Sequence, residues 1–302
     1  MMIVASSICK KYTSSRCYAV FPLLTKHRRN LSTSSSSDKV ETSKGKIQAI
    51  HKKITRPHRI ILVRHGQSLG NVDDSTYVNT PDWRVTLTNL GKEQASEAGQ
   101  KLQRLIGDDE RAFFYYSPYE RTRQTKDRIL EHFSPSNVIS AREEPRISEQ
   151  QFGNFQNVEE VWEAKGVRHK FGRFYYRFPS GESGLDVYSR VSSFISTLVR
   201  DCTQYRNAGY DLDKVNVVIV THGLSLRLFL MRWFQFSVEE FEVSENPGNA
   251  QLVVMTKKCV GGHRWYELDN DDRSSLNLPK SCGIPKNVHL HHLMDDSEDT
   301  NY

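Results

Sequence analysis

Two histidines of this chain, His65 and His222, occupy matching positions in the sequence. Each is the second residue after an apolar run, 60–63 or 217–220, and each is followed by glycine. Aliphatic runs without polar alternation are typical of strands that are buried on both faces, as in parallel sheets covered by helices. Because ligands bind at the carboxyl ends of such strands, we expect the two imidazoles to share one site.

The residues around His65 combine the groups that an anion site with a nucleophile needs. Within the sequence RHGQSLGN at 64–71, Arg64 supplies a permanent cation, Ser68 a hydroxyl and Asn71 an amide. The imidazole itself can act as the nucleophile. By itself, however, an Arg-His-Gly tripeptide is more typical of a turn that ends a strand and leaves its arginine exposed.

A second basic segment, SPYERTRQT at 117–125, follows the apolar stretch 112–116. It is typical of a strand, a turn and the start of a helix, with Ser117 as N-cap and Pro118 in the first helical turn. Arg121 would then lie near the helix N-terminus, where free N–H groups and the helix dipole favour an anion. The alternative interpretation is a solvated helix face.

Separated segments of the chain resemble the histidine phosphatase superfamily, which includes cofactor-dependent phosphoglycerate mutase and the bisphosphatase that acts on fructose 2,6-bisphosphate. The segments are RHGQSLGN (64–71), VTLTNLGKEQA (85–95), SPYERTRQT (117–125), ISEQQFGNFQ (147–156) and VTHG (220–223). Their order and spacing make coincidence a poor explanation. The segment RFYYRFPSGES, followed by Asp-Val-Tyr at 186–188, is most similar to the plant and fungal phosphoglycerate-mutase-like branch.

The resemblance implies phosphoryl transfer through a phosphohistidine at His65, which divides one difficult displacement into two easier ones. Arg64 and Arg121 are expected to hold the phosphoryl oxygens with charge-assisted hydrogen bonds, and His222 to add a donor. Positioning and electrostatics supply most of the catalysis in phosphoryl transfer, so a clamp of arginines is physically sufficient. Further contacts with the substrate are expected from Ser68, Asn71 and Gly223.

The leaving group also needs a proton, and Glu149 is its expected source. The resemblance implies this role, because the superfamily has a glutamate four residues before a glycine, here Gly153. Glu149 would act first as general acid and then as general base. Glu143 and Glu144 are the alternatives by proximity in the sequence. A purely structural Glu149, capping a helix or pairing with an arginine, is the remaining interpretation.

Neighbouring histidines often indicate zinc, which takes three or four ligands from His, Cys, Asp and Glu. Here the neighbours are arginines, whose charge repels a divalent cation. The five cysteines, at positions 9, 17, 202, 259 and 282, form no C-x-x-C pair. We therefore expect neither a metal nor another cofactor, and a small phosphate ester as the partner of the site.

The elements that must position these residues alternate along the chain. Strands are predicted near 59–64, 112–116, 137–141, 215–221, 251–256 and 263–268, and helices near 88–106, 119–132, 186–202 and 223–235. This alternation favours an α/β fold with a mostly parallel central sheet covered by helices on both faces. The aromatic and basic segment from Phe152 to Phe178 is either a lid that sets substrate choice or an apolar packing segment.

Length and composition favour one catalytic domain, 57–268, between an N-terminal tail, 1–56, and a polar C-terminal tail, 269–302. The N-terminal tail holds twelve Lys and Arg and two acids, so it contributes +10 to a net charge of +6. The remainder of the chain is acidic and gives no indication of nucleic-acid binding. No stretch is long and apolar enough to span a bilayer.

The N-terminal tail is rich in serine and basic residues and contains no acid before Asp38. This composition is typical of a mitochondrial or plastid transit peptide. A secretory signal is disfavoured, because the apolar stretch 18–24 is short, contains Pro22 and leads into basic residues without a small-residue cleavage site. The alternative is a disordered basic arm on a cytosolic enzyme.

Three functions are compatible with these patterns: hydrolysis of small phosphomonoesters, a mutase primed by a bisphosphate, and a non-catalytic binding module. The sequence favours hydrolysis, because mutases of this kind carry a longer basic insertion where only about 25 residues separate Gly153 from Pro179. The presence of all the expected catalytic side chains argues against the binding module. A second phosphate could still be bound by Arg168, Lys170 and Arg173.

Overall fold

A computed structural model describes residues 56–153, 157–260 and 263–279, which belong to one compact unit. The strands are β1 (Arg59–Arg64), β2 (Arg111–Tyr116), β3 (Val138–Glu143), β4 (Val215–Thr221), β5 (Leu252–Val260) and β6 (His263–Leu268). The helices are α1 (Leu69–Val72), α2 (Thr76–Asn79), α3 (Asn89–Ile106), α4 (Glu120–Leu130), α5 (Val158–Phe171), α6 (Gly184–Asn207), α7 (Gly223–Phe234), α8 (Val238–Val243) and α9 (Asn270–Ser275). Short 3-10 turns occur at Asp82–Arg84, Pro135–Asn137, Pro145–Ile147 and Leu212–Lys214.

The strands form one sheet in the order β3-β2-β4-β1-β5-β6. The first four strands of this order are parallel, whereas β5 is antiparallel to β1 and β6 is antiparallel to β5. Arg64 of β1 is in register with Thr221 of β4, so the two strands end together. The next residues along the chain, His65 and His222, are therefore neighbours, as the sequence predicted.

Helices cover both faces of the sheet. Successive side chains of a strand point to opposite faces, so that Ile60 and Leu62 pack with residues of α6 and α7, and Ile61 and Val63 with residues of α3 and α4. All four side chains are fully buried, which explains why the run contains no polar residue. The predicted fold, a mostly parallel sheet between two helical layers, is confirmed.

The long elements lie close to their predicted positions, and the differences concern ends and short helices. Helix α6 extends beyond the predicted 186–202 at both ends and begins with a capping box between Ser183 and Asp186. The packed core also extends beyond the expected domain end at Leu268, because Leu276 and Leu278, after α9, are buried in it. The start of the expected polar tail at 269 is thus corrected.

The N-terminal tail lies outside the described residues, so its interpretation as a transit peptide rests on the sequence alone. In the part of the chain that the structure describes, no helix combines the length and the apolar character needed to cross a membrane. Residues 154–156, the end of the segment ISEQQFGNFQ, are also outside the described residues.

Candidate active site

His65 is held at the end of β1 by its backbone and by its ring. Its N–H donates to the Thr221 carbonyl at 3.0 Å, and its carbonyl accepts from the Ala250 N–H at 3.1 Å. The ring, in a side chain only 3% exposed, donates from Nδ1 to the Gly66 carbonyl at 2.7 Å. A carbonyl oxygen can only accept, so the ring proton lies on Nδ1 and Nε2 keeps its lone pair. Nε2 is therefore the ring nitrogen that is able to act as a nucleophile.

Gly66 is required by the close approach of α3 to the loop after β1. A Cβ at Gly66 would lie 2.3 Å from the carbonyl oxygen of Gly91. The Gly66 N–H donates to Thr125 Oγ1 at 3.0 Å, and this hydroxyl donates to the Arg121 carbonyl at 2.7 Å. These bonds tie the loop that carries His65 to the helix that carries Arg121.

His222 is fully buried beside His65, with a distance of 5.2 Å between the ring centroids. Ser117 Oγ lies 2.8 Å from His222 Nε2 and also accepts from the Tyr119 N–H at 3.4 Å. Nδ1 of His222 has no hydrogen-bond partner among the described residues and lies 3.9 Å from Glu149 Oε2. In the tautomer that carries its proton on Nδ1, this group can donate to a phosphoryl oxygen.

The expected helix cap at Ser117 is wrong. Helix α4 begins at Glu120 with Tyr119 in the N-cap position, so Pro118 precedes the helix instead of opening it. The Ser117 hydroxyl instead contacts Nε2 of His222. Arg121 does lie in the first turn of α4, as predicted.

Arg121 is 2% exposed and bonded to one acidic residue. Its Nη1 donates to Asp82 Oδ1 at 2.7 Å and to the Asp82 carbonyl at 2.8 Å. The Tyr119 ring lies 4.9 Å from the guanidinium carbon. Burial opposes the charge of Arg121, but Asp82, Tyr77 and Glu149 together outweigh burial and raise the pKa of Arg121. Because Asp82 occupies one nitrogen, the other N–H groups are left for an anion.

Asp82→Ala is expected to lower kcat/KM for a phosphate ester by roughly 10²-fold, because the guanidinium of Arg121 loses its anchor and small misplacements are costly in catalysis. Asp82→Asn keeps an acceptor for Arg121, so we expect a smaller loss of about tenfold. Steady-state kinetics on a single ester measure both effects.

The matched control for Asp82 is Asp73→Asn, which removes the same charge from an exposed residue whose side chain accepts from Ser75. It should retain the wild-type kcat/KM. Kinetics of Asp82→Ala equal to those of the wild type would show that Arg121 needs no anchor.

Arg64 approaches the same space from the end of β1. Its Nη1 donates to the Pro247 carbonyl at 2.6 Å, and its Nε has no hydrogen-bond partner among the described residues. Burial lowers the pKa of Arg64, yet a guanidinium stays protonated in proteins. A buried cation with an unused N–H favours an anion as its ligand.

The backbone around Glu149 is fixed by side chains from three elements. Thr221 at the end of β4 and Ser225 of α7 donate to carbonyls just before Glu149, at 2.7 and 2.6 Å. Arg190 of α6 donates to the carbonyls of Ser148 and Glu149 at 2.8 and 2.9 Å. The loop is thus held against the sheet, and the carboxyl group of Glu149 has a defined position.

Burial raises the pKa of Glu149, and the nearby Arg121 offsets this rise only in part. One carboxyl oxygen accepts from the Gln150 N–H at 3.0 Å. The other is the oxygen that lies near His222. A carboxyl group that keeps its proton to a higher pH suits a general acid.

The two alternative acids are engaged elsewhere. Glu143 is exposed and accepts from Arg123 Nη2 at 2.6 Å. Glu144 accepts from Arg146 Nε and Nη2 at 2.8 and 2.7 Å, and although burial opposes it, Arg146 lowers the pKa of Glu144. Both are paired with arginines outside the cavity, so Glu149 is the acid that the geometry favours.

A cavity of about 340 Å³ is lined by five of the predicted site residues, whereas His222 lies behind it against His65. Its wall includes His65, Arg64, Arg121, Glu149 and Asn71. The remaining lining residues are Gly70, Asp74, Tyr77, Phe152, Val161, Lys165, Phe178 and Asn246. The volume is at the lower end of the range for small-molecule sites. No group of three His, Cys, Asp or Glu side chains suited to a metal occurs among the described residues.

The three residues expected to contact the substrate differ in their positions relative to the cavity. Asn71 lines the cavity, and its Oδ1 accepts from the Ser68 N–H and hydroxyl at 3.0 and 3.1 Å, which leaves its NH₂ group for a ligand. Ser68 is fully buried and orients Asn71, which corrects its expected contact with substrate. Gly223 is also buried, and a Cβ there would lie 2.8 Å from Oδ1 of Asn246, which is the residue that reaches the cavity.

Two parts of the site were not predicted. Tyr77 lies in the one-turn helix α2 and Asp82 opens the 3-10 turn before α3, and no periodicity or motif marks either residue. Asn246 and Pro247 precede β5 in a sequence, Asn-Pro-Gly-Asn, that is typical of a turn. The turn was recognisable, but its position beside His65 depends on the antiparallel direction of β5.

Comparison with known proteins agrees with this geometry. The model of the histidine phosphatase superfamily (branch 1) matches residues 60–266. Phosphoglycerate mutase-like protein AT74 of Arabidopsis thaliana is 52% identical over 204 residues, which are 66% of this chain and 65% of that protein, slightly less than two thirds of its length. The Broad-range acid phosphatase DET1 of Saccharomyces cerevisiae is 28% identical over 288 residues, covering 66% of this chain and 85% of that protein.

Solved structures show the same architecture. A mycobacterial glucosyl-3-phosphoglycerate phosphatase in complex with VO3 superposes with a TM-score of 0.55 and 24% identity, over 70% of this chain and 97% of that chain. At this identity the likeness shows the fold alone. Together with the match over residues 60–266, these findings establish that the chain belongs to the histidine phosphatase superfamily, in its phosphoglycerate-mutase-like branch.

Proposed function

We propose that the chain is a metal-independent phosphatase that hydrolyses small phosphomonoesters through a phosphohistidine at His65. The observation that carries this proposal is the bond from His65 Nδ1 to the Gly66 carbonyl. It leaves the Nε2 lone pair in a cavity whose wall also holds two arginines and a carboxyl group with a raised pKa. Nucleophile, anion clamp and proton donor are therefore in one space.

In the first half-reaction, His65 Nε2 attacks phosphorus, the bond from phosphorus to the ester oxygen breaks, and Glu149 gives its proton to that oxygen. The phosphoryl oxygens are bound by Arg64, Arg121 and the Nδ1–H of His222. The phosphorylated imidazole keeps its Nδ1 proton and is cationic, which the Gly66 carbonyl stabilises.

In the second half-reaction, the Glu149 carboxylate takes a proton from water while the water oxygen attacks phosphorus. The bond from phosphorus to Nε2 breaks, so His65 returns to its neutral form and inorganic phosphate leaves. Glu149 is again protonated, and no external reductant, oxidant or metal enters the balance.

A mutase remains the second candidate because of one cation on the segment after Glu149. Arg173 is engaged, since its backbone and guanidinium N–H groups donate to Glu242, and Lys170 is exposed. Arg168 is half-buried, lies 5.5 Å from the Phe178 ring and leaves its Nε without a hydrogen bond among the described residues. Two of the three cations considered for a second phosphate are thus unsuited to it, which supports hydrolysis.

The experiment that tests the proposal is a product assay on the full chain with a panel of phosphate esters. The panel includes 3-phosphoglycerate with and without 2,3-bisphosphoglycerate. Hydrolysis predicts release of inorganic phosphate that needs no bisphosphate. Formation of 2-phosphoglycerate only with bisphosphate, lost in Arg168→Ala and retained in Lys170→Ala, would establish the mutase instead.

A separate proposal concerns the N-terminal tail, 1–56, which we propose directs the chain to a mitochondrion or a plastid. Its support is the serine-rich, acid-poor composition before Asp38. A fluorescent protein fused to residues 1–56 should enter an organelle, and protein isolated from its source should lack most of the tail. Full-length protein confined to the cytosol would contradict the proposal and favour the basic-arm interpretation.

A further inference from the structure

A second cavity, of about 560 Å³, adjoins the catalytic cavity. The two cavities share the side chains of Tyr77 and Phe152, which line both. These rings meet edge to face with 6.5 Å between their centroids. The contact of Tyr77 with Phe152 is therefore the partition between the two spaces.

The second cavity begins next to the groups expected to hold the phosphoryl group. Tyr119 lines it and packs against His222, with 5.0 Å between the ring centroids, and against the guanidinium of Arg121. Asp82 also lines it and is the residue that anchors Arg121. A substrate whose phosphate lies between the arginines can thus place its remaining part in this second space.

The walls indicate what that part is. Trp83, Tyr119 and the two shared rings provide aromatic surfaces, and Asn79, Gln151 and Ser180 provide amide and hydroxyl groups. Asp82 is the one charged side chain among the described lining residues, and it disfavours a second phosphate or a carboxylate. Aromatic faces combined with neutral hydrogen-bonding groups suit an uncharged ring that carries hydroxyl groups.

We propose that this cavity is the subsite for the leaving group and that it takes the ring of a sugar phosphorylated on a primary hydroxyl. The proposal rests on the proposed phosphatase function and adds the substrate class to it. In the bound state, the rings of Tyr77 and Phe152 separate to admit the ester linkage. The sugar ring stacks on the face of Trp83 that Arg84 leaves uncovered, since the guanidinium carbon of Arg84 lies 4.6 Å from the Trp83 ring centroid and Trp83 is 49% exposed.

The test compares two substrates with the same chemistry at phosphorus. Glucose 6-phosphate and glycerol 3-phosphate are both esters of primary alcohols, so the bond that breaks is equivalent and only the ring distinguishes them. We expect kcat/KM to be at least about tenfold higher for glucose 6-phosphate, and Trp83→Ala to bring the ratio of the two values close to one.

The matched control is Trp162→Ala, which removes an exposed tryptophan of α5 that lines neither cavity. It should leave both kcat/KM values at their wild-type levels.

Asn79→Ala provides a second variant that does not alter the 3-10 turn carrying Asp82, and we expect it to raise KM for glucose 6-phosphate severalfold. A carbocyclic ester, cyclohexylmethyl phosphate, should have a kcat/KM below that of glucose 6-phosphate, because its ring has no hydroxyl groups to bond to the amide groups.

Equal kcat/KM for the two esters in the wild type would overturn the proposal. So would an equal loss on both esters in Trp83→Ala, because Trp83 would then serve only to support Asp82 and Arg121. Failure of the phosphatase function has a different signature, namely that neither ester releases phosphate. In that case calorimetry decides about the subsite, since glucose 6-phosphate should still bind to the wild type and bind at least about tenfold more weakly to Trp83→Ala.

Discussion

Replacement of His65 by alanine is expected to abolish the phosphoenzyme and to reduce turnover by at least about 10³-fold. In the proposed mechanism the ring is the nucleophile, and its Nε2 lone pair is available because Nδ1 is bonded to the Gly66 carbonyl. Burial and the nearby Arg121 lower the pKa of His65 well below its ordinary value, so the ring is neutral and nucleophilic even in mildly acidic solution. Rapid quenching with labelled substrate should show an acid-labile, base-stable label in the wild type and none in His65→Ala.

A matched control for this experiment is His132→Ala, which removes a histidine that contacts Ser96 Oγ at 2.8 Å outside the cavity. Its label should equal that of the wild type. Label that persists in His65→Ala would show that another residue is the nucleophile. A chelator should not change labelling, because the cations of the clamp are arginines; a loss that zinc restores would contradict the metal-free mechanism.

The sequence sufficed to predict the pair of histidines because their strands are parallel neighbours. A buried strand with no polar alternation is recognisable, and the carboxyl ends of parallel strands meet at one edge of the sheet. Arg64 and Thr221 are in register, so the two residues after them could be placed together from the pattern alone. The positions of Arg121 and Glu149 came from the resemblance to a family, and the structure brings both into the same cavity.

Other parts of the site depend on contacts that no local pattern encodes. The turn before β5 reaches His65 only because β5 is antiparallel to β1, and the apolar run of β5 gives no sign of its direction. Ser117 had the sequence of a helix cap, but its hydroxyl bonds to a histidine that lies far away in the chain. Asp82 has no periodic neighbours, and its role follows solely from its bond to Arg121.

The segment between Phe152 and Phe178 combines both interpretations that its composition allowed. Phe174 is buried in the core, as expected of a packing segment. Val161 and Phe178 line the catalytic cavity, as expected of a segment over the site. Aromatic composition alone did not distinguish these places, because Phe174 and Phe178 lie after the end of α5, where no periodicity assigns side chains to a face.

Glu149→Gln is expected to slow the phosphorylation step by about 10² to 10⁴-fold on an alkyl phosphate and only slightly on p-nitrophenyl phosphate. An alkoxide leaves poorly without a proton, whereas nitrophenolate needs none. Burial raises the pKa of Glu149, so in the wild type this step on the alkyl ester should slow as the pH rises through that pKa, when the acid loses its proton. The glutamine variant should lack this decline. Single-turnover kinetics across a pH series measure both effects.

The second half-reaction predicts a distinct time course for turnover of the aryl ester by Glu149→Gln. Because the same carboxylate activates water, dephosphorylation should become limiting, and Glu149→Gln should show a burst of nitrophenolate followed by slow turnover. Glu143→Gln is the matched control, since Glu143 is exposed and bonded to Arg123, and it should behave like the wild type on both esters. Equal losses on the two esters in the phosphorylation step would show that Glu149 is not the acid. That result would leave its raised pKa as a consequence of burial alone and would direct the search to Glu144, the buried carboxylate that Arg146 now holds.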